Sequence, residues 1–352
     1  MTTYLSNKLS FFSFWLIVLV VILHSLNIDT LKCGDFFCFL QYFIAHKITQ
    51  IAVPLFFAMT GYLYFLKMDL IVVSKAQFFI NNSKKRLRTI VLPFVLWCVI
   101  WFAFLFILQQ LPFLNTLFSQ PLYRMRLLDQ FTNLFITPVN YPFWFLRDLI
   151  LLFVFSPIIY ISLKYLNSFA LVLYFLLIFF YNNMFIINGA SVFLYLPLFY
   201  FALGAFFSIY KINLIRNWSK WAVLILILVW ITLNIVSVYY EFSFINKMFF
   251  KLLNLFKDFL GCLAIWSLYD FLNLRKQWIN YKFYKYSFFI FAFHGVPILL
   301  TVQLVQRFVT NQLLLFLLFF ITPFFIISIS IFLGTILKNK VPKIYSLLSG
   351  SR

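Results

Sequence analysis

The chain of 352 residues holds three histidines, and two of them stand where a proton acceptor is hardest to place. His24 closes an apolar run that begins near Phe11, in the stretch VILHSLNIDT (21–30). His294 sits inside SFFIFAFHGVPILL (287–300). An imidazole titrates near neutrality and can act as a general base toward a hydroxyl. A polar ring among apolar neighbours also needs a partner, so the competing role for each is a histidine hydrogen-bonded between helices. Asp29 lies five residues beyond His24, just past the i,i+4 spacing, and orients the ring only if the helix ends early. Gly295 and Pro297 follow His294. Glycine permits close helix approach and proline frees a backbone carbonyl, which suits a cavity wall better than a lipid-facing surface. His46 falls near the outer start of the second apolar run.

The charged candidates are few. KKRLR (84–88) offers Lys84, Lys85, Arg86 and Arg88, a set suited to phosphate oxygens or, equally on charge alone, to anionic headgroups. Arg147 and Asp148 follow Pro142-Phe143-Trp144. Adjacent helical residues diverge by about 100°, so each is expected to find a different partner. Lys257 and Asp258 form a second adjacent pair. Of the four cysteines, Cys98 and Cys262 are isolated, and Cys33 and Cys38 share a loop that allows a disulfide if it lies outside. No zinc spacing, glycine-rich phosphate loop or G-x-S-x-G elbow is present, and no metal is expected.

Such residues need walls, and the composition says what the walls are. The chain is 64% hydrophobic and 10% charged, with 53 Phe. A soluble domain is roughly 45–50% apolar and about 25% charged. Mean hydropathy is +1.00, so the chain is read as an integral membrane protein. A spanning helix needs about 20 mostly apolar residues. Ten runs qualify: 10–28, 40–66, 89–110, 143–163, 168–187, 192–210, 219–240, 250–271, 283–305 and 311–337. They are apolar on nearly all sides, which favours helices over barrel strands. The expected fold class is all-α and polytopic, a single domain over 1–352, with Pro54 kinking the second helix.

The net charge of +20 then has a topological meaning. Nineteen of the 28 basic residues fall before the first run, after the last, or in the alternate loops around Lys67–Arg88, Lys164, Lys211–Lys220 and Arg275–Lys285. By the positive-inside rule those loops and both termini are cytoplasmic. The charge therefore does not call for nucleic acid; membrane lipids are the expected surroundings. The segment AQFFINNSKKRLR (76–88) is expected to lie along the inner surface as an amphipathic helix.

Several patches, in order, resemble one family. They are LVVILHS (19–25), AVPLFFAMTGYLYF (52–65), RLRTIVLPFVLW (86–97), PFWFLRDLILLFVFSPII (142–159) and SFFIFAFHG (287–295), with FYFALGAFF (199–207) between them. Together they look like the membrane acyltransferase family 3, multi-span O-acyltransferases of cell-surface glycans. The resemblance implies transfer of an acyl group, usually acetyl, from cytoplasmic acetyl-CoA to a sugar hydroxyl. The implied acceptor is a lipid-linked or surface polysaccharide such as lipopolysaccharide O-antigen, and the implied site is a bacterial inner membrane. Carried over, His24 matches the catalytic histidine of helix one and His294 the late histidine. Lys85 and Arg88, with Lys84 and Arg86 beside them, match the basic stretch at the acyl-CoA end. Tyr62, Trp144, Arg147 and Asp148 fall in the patches taken as substrate-binding. Three features depart from the pattern: Ser13 stands where the family often has Arg eleven residues before the histidine, Thr49 and Gln50 replace a basic residue before V-P-L-F-F, and Lys85 stands where Arg is usual. A polysaccharide polymerase or flippase, or an ion-coupled transporter, is the alternative that composition alone leaves open.

Overall fold

The computed structural model describes residues 2–28, 36–66, 68, 74–112, 118, 120–187, 189–216, 218–241, 247–272 and 282–351. Asp29, Cys33, Lys67, Arg275 and Lys276 lie outside the described residues. Each of the ten expected runs holds a helix. The helices are α1 (Thr3–His24), α2 (Phe36–Phe65), α3 (Lys75–Leu108), α4 (Tyr141–Leu166), α5 (Ser168–Phe180), α6 (Tyr195–Ile209), α7 (Lys220–Glu241), α8 (Lys247–Leu272), α9 (Tyr284–Phe308) and α10 (Gln312–Lys340). A short α11 (Pro342–Ser349) closes the chain. Seven of these are long and apolar enough to cross a membrane, so the chain is a multi-pass membrane protein. The other three depart from the expectation of ten equal spans. Helices α5 and α6 have only 13 and 15 residues, and α8 carries Lys251, Lys257, Asp258 and Asp270 along its length.

The all-helical expectation has one exception. The run at 168–187 stops being helical at Phe180, and β1 (Asn183–Ile187) pairs antiparallel with β2 (Ala190–Leu194). The physical cause is the Asn-Gly dipeptide at 188–189: Gly189 has φ +78°, the left-handed conformation that a two-residue hairpin turn demands. The segment 76–88 is helical and mostly exposed, with Phe78 turned inward, and runs on through a π turn. It is the first part of α3, capped by Ser74, whose Oγ accepts from the Gln77 N–H at 3.4 Å.

Prolines shape the helices that meet at the core. In α2 the turn before Pro54 tightens to 3-10 geometry at Thr49–Ile51 after a π turn at Ile44–Ile48. In α3 a π turn at Leu87–Val91 precedes Pro93. Both fit a residue that removes an N–H and crowds the carbonyl four residues back. In α4 the carbonyl of Phe153, which Pro157 leaves unbonded, accepts from Ser156 Oγ at 2.7 Å.

In lipid, helices associate by close packing rather than by the hydrophobic effect, and small residues permit it. Helices α2 and α6 cross at Gly61 and Gly204: a Cβ on Gly61 would overlap the Phe201 backbone, and one on Gly204 the Ala58 backbone. Around this crossing Phe57, Phe143, Phe201 and Ile290 are fully buried. At the first turns of the chain Lys8 reaches Asp270 of α8 at 2.7 Å, with Tyr4 donating to the same carboxylate at 2.9 Å and Trp266 beneath the ammonium.

Candidate active site

Helix α1 supplies one long wall. Ser13, Ile17, Val20 and His24 share a face of it, and all four line a cavity of about 380 Å³. Ser13 precedes His24 by eleven residues, about 16 Å at 1.5 Å per residue. Helix α2 contributes Val53, Phe56, Met59 and Thr60, α4 contributes Trp144, Phe145 and Leu149, and α9 contributes Ser287, Phe288 and Phe291. From α3 come Arg86 and Ile90. The histidine that ends α1 and one arginine of the basic cluster thus open onto the same cavity.

The ring of His24 is partly accessible and has no hydrogen bond to any described residue. Tyr141 meets it edge-on at 4.5 Å between ring centres. His294 lies behind it, 5.7 Å away and inclined by only 22°. Its Nδ1 is 2.7 Å from the Phe291 carbonyl and 3.2 Å from that of Ile290. A carbonyl only accepts, so Nδ1 carries the proton, and Nε2 presents a buried lone pair without a partner. His294 is fully buried and does not line the cavity. Gly295 brings the neighbouring segment in: a Cβ there would overlap Asn140 Oδ1 and Pro142. Asn140 Nδ2 donates to the Ala292 carbonyl at 2.9 Å, as does Trp101 Nε1. This clasp sets Pro142 and Trp144 beside His24.

At the other end Arg86 has its guanidinium over two rings, 4.9 Å from Phe153 and 5.8 Å from Tyr64. Ser156 Oγ shares its proton between two acceptors, the Tyr64 hydroxyl at 2.8 Å and the Phe153 carbonyl at 2.7 Å. No carboxylate pairs with Arg86 among the described residues, and its Nε is buried without a partner. The rest of the cluster points away: Lys84, Lys85 and Arg88 are exposed and line no part of the cavity. Counted at about 100° per residue from Arg86, the other three lie roughly 100–160° round the helix, so with Arg86 facing in they face out.

The other expected residues divide. Trp144 lines the cavity. Tyr62 faces a separate, apolar cavity of about 440 Å³ between α1, α2, α6 and α8; Met59 touches both cavities. Arg147 and Asp148 line neither. They were expected to find different partners, and instead bond to each other, with Nε to Oδ1 at 2.9 Å. The long arginine stem folds back over the turn that separates adjacent residues. Arg147 also donates to the carbonyls of Ile136 at 2.5 Å and Ser191 at 3.0 Å, and Asp148 accepts from the Leu194 N–H at 2.9 Å. The pair staples the hairpin to α4. Lys257 and Asp258 lie in the middle of α8, where Lys257 donates to Gln50 at 3.3 Å and sits 3.6 Å from Asp258. Cys38 is disulfide-bonded, while Cys98 and Cys262 are free.

The sequence patterns single out neither Tyr141 nor Asn140. The Pro142 and Gly295 signals pointed to that contact without naming it. Among the described residues no cluster of three metal-ligating side chains occurs.

Comparison with known proteins adds an independent line. A family model described as an acyltransferase domain, acyltransferase family 3, matches residues 11–337. A curated relative, the succinoglycan biosynthesis protein ExoH of Rhizobium meliloti (strain 1021), is 30% identical over 128 residues. That stretch is 34% of this chain and 32% of the relative, so about a third of each is covered. No solved structure matches.

Proposed function

The chain belongs to acyltransferase family 3, and on that premise we propose that it moves an acyl group, acetyl in the simplest case, from cytoplasmic acetyl-CoA to a sugar hydroxyl of a lipid-linked or surface polysaccharide. The observation that carries the proposal is the single cavity holding His24 at one end and Arg86 at the other. The relative named for succinoglycan biosynthesis supports a glycan as acceptor.

On this reading Arg86 takes a phosphate of the donor, since a guanidinium seated on rings with no carboxylate beside it has donors to spare. Lys84, Lys85 and Arg88 draw the polyanion to the mouth from outside. The narrow cavity along Ser13, Ile17 and Thr60 holds the extended arm of the donor and keeps water from the thioester. His24 accepts the proton of the sugar hydroxyl as its oxygen attacks the thioester carbonyl. The carbon–sulfur bond breaks, and His24 returns the proton to the departing sulfur. Trp144 offers its ring as the platform for the sugar beside His24, and His294 backs the imidazole. Tyr62, Arg147 and Asp148 act in the fold rather than on the acceptor. The reading sets the chain in a bacterial inner membrane with the basic loops inside.

A positioned general base contributes typically about 10²–10⁴-fold to rate. His24→Ala is therefore expected to remove the acyl mass from the surface glycan while the protein still inserts at normal level. Mass spectrometry of the glycan from cells with wild type, variant or no gene reads this directly. Full acylation by His24→Ala overturns the role of His24, and shortened chains rather than lost acyl groups would point to a polymerase.

A further inference from the structure

The second cavity, of about 440 Å³, is not used by this chemistry, since His24 does not line it. Its walls are Leu9, Leu55, Phe207, Phe259, Leu263 and Trp266. Water in a buried site needs two to four polar partners, so an apolar cavity of this kind does not hold it. Left empty, its lining would forfeit dispersion contacts on one side. Its volume falls within the range of ligand sites, about 300–1,000 Å³.

Its shape follows from the chain. The cavity reaches from Tyr200 in α6 down to the 212–218 connection between α6 and α7. Tyr200 is nine residues above the end of α6 at Ile209, about 14 Å of helix, or half of an approximately 30 Å hydrocarbon core. The connection belongs to the basic loops assigned to the inner surface. Trp266 fixes it by donating to the Leu214 carbonyl at 2.9 Å. At the mouth Arg216 lies 5.2 Å over the Trp218 ring, and no carboxylate pairs with it among the described residues. A one-leaflet apolar slot with an unpaired guanidinium at the headgroup level complements one kind of molecule.

We propose that this cavity seats one fatty-acyl chain of an anionic inner-leaflet glycerophospholipid, with the lipid phosphate on Arg216. Met59 alone is common to this cavity and the one that holds His24, so the bound chain forms the outer packing of the catalytic wall at that residue.

The test is native mass spectrometry of the full, delipidated chain in detergent with added phosphatidylglycerol or phosphatidylcholine. Leu263→Trp and, separately, Phe207→Trp fill the cavity, and Leu228→Trp, on the lipid-facing surface, controls for annular lipid. Wild type and Leu228→Trp are expected to retain one phosphatidylglycerol. Each filling variant is expected to lose it by about tenfold or more, and the second serves if the first does not fold. Arg216→Gln is expected to bind both lipids alike, losing a preference of about tenfold for phosphatidylglycerol. Retention by both filling variants, or an unchanged preference in Arg216→Gln, overturns the proposal. Stoichiometric displacement of the lipid by palmitoyl-CoA also overturns it, making the cavity a donor site. Because occupancy is read without activity, either answer is separate from the acyl-transfer assignment.

Discussion

Arg86 and Arg147 are both drawn out of water in a chain with few charges, and the fold completes only one of them. Arg147 is saturated by the Asp148 carboxylate and by carbonyls of Ile136 and Ser191, and it joins α4, the hairpin and the segment before α4. Arg86 has two aromatic rings, no carboxylate and an unpartnered Nε, and it opens onto a cavity. A buried cation costs free energy unless something pairs with it. Where the protein itself supplies the partners, the residue builds structure. Where it supplies only a seat, as at Arg86, the proposed donor would be the missing partner.

The largest effect expected from this contrast is on stability. Arg147→Ala leaves the Asp148 carboxylate fully buried with backbone donors alone. Breaking a buried pair from one side costs about 3–5 kcal/mol. Thermal unfolding in detergent should show a marked fall in Tm, while turnover per folded molecule changes little. An unchanged Tm with lost turnover would put Arg147 in the site and erase the distinction.

Arg86→Gln should behave the other way. Few native contacts depend on the charge, so Tm should stay close to wild type. The KM for the acyl-CoA donor should rise about 10–100-fold with little change in kcat, because a hydrogen bond to a charged group contributes about 1.5–3 kcal/mol. Steady-state kinetics with detergent-solubilised protein measure this. A fall in Tm as large as that of Arg147→Ala would make Arg86 structural.

The same pair shows what was legible in the sequence. Ten apolar runs, the proline positions and the His24 and His294 patches were plain because hydropathy and helix-breaking act locally. The choice of Arg86 over its neighbours was not, since 84–88 reads as one basic block until the helical phase of α3 is fixed by Phe78 and Ile90 packing inward. The partners that Arg147 and Asp148 find, Ser191 and Leu194, are more than forty positions away in a hairpin, so no local pattern announces them. That hairpin was itself hidden inside an apolar run, although Asn-Gly at 188–189 marked it. The clasp of Asn140 on Gly295 is a contact of high sequence separation, which no local pattern announces.

Tyr64→Phe probes the seat rather than the charge. It removes the hydroxyl bonded to Ser156 but keeps the ring under Arg86. One neutral hydrogen bond contributes about 0.5–1.5 kcal/mol, so donor KM should rise roughly two- to tenfold. In the Arg86→Gln background the same change should have almost no effect on KM. Additive effects in that double-mutant cycle would separate Tyr64 from the donor site.

The smallest effect belongs to the exposed cations. Lys84→Gln, Lys85→Gln and Arg88→Gln each remove a charge that touches no part of the cavity. Exposed charges interact weakly and are screened within about 8–10 Å at ordinary ionic strength. Each variant should raise donor KM by about twofold at low salt, through slower capture of a polyanion, and by nothing measurable near 1 M salt. Arg86, half-buried over two rings, should keep most of its effect across the same series. A salt titration of KM over the four variants therefore ranks them by depth. If Lys85→Gln or Arg88→Gln proved as salt-resistant as Arg86→Gln, the donor would have to bind along the outer face of α3 instead of inside it.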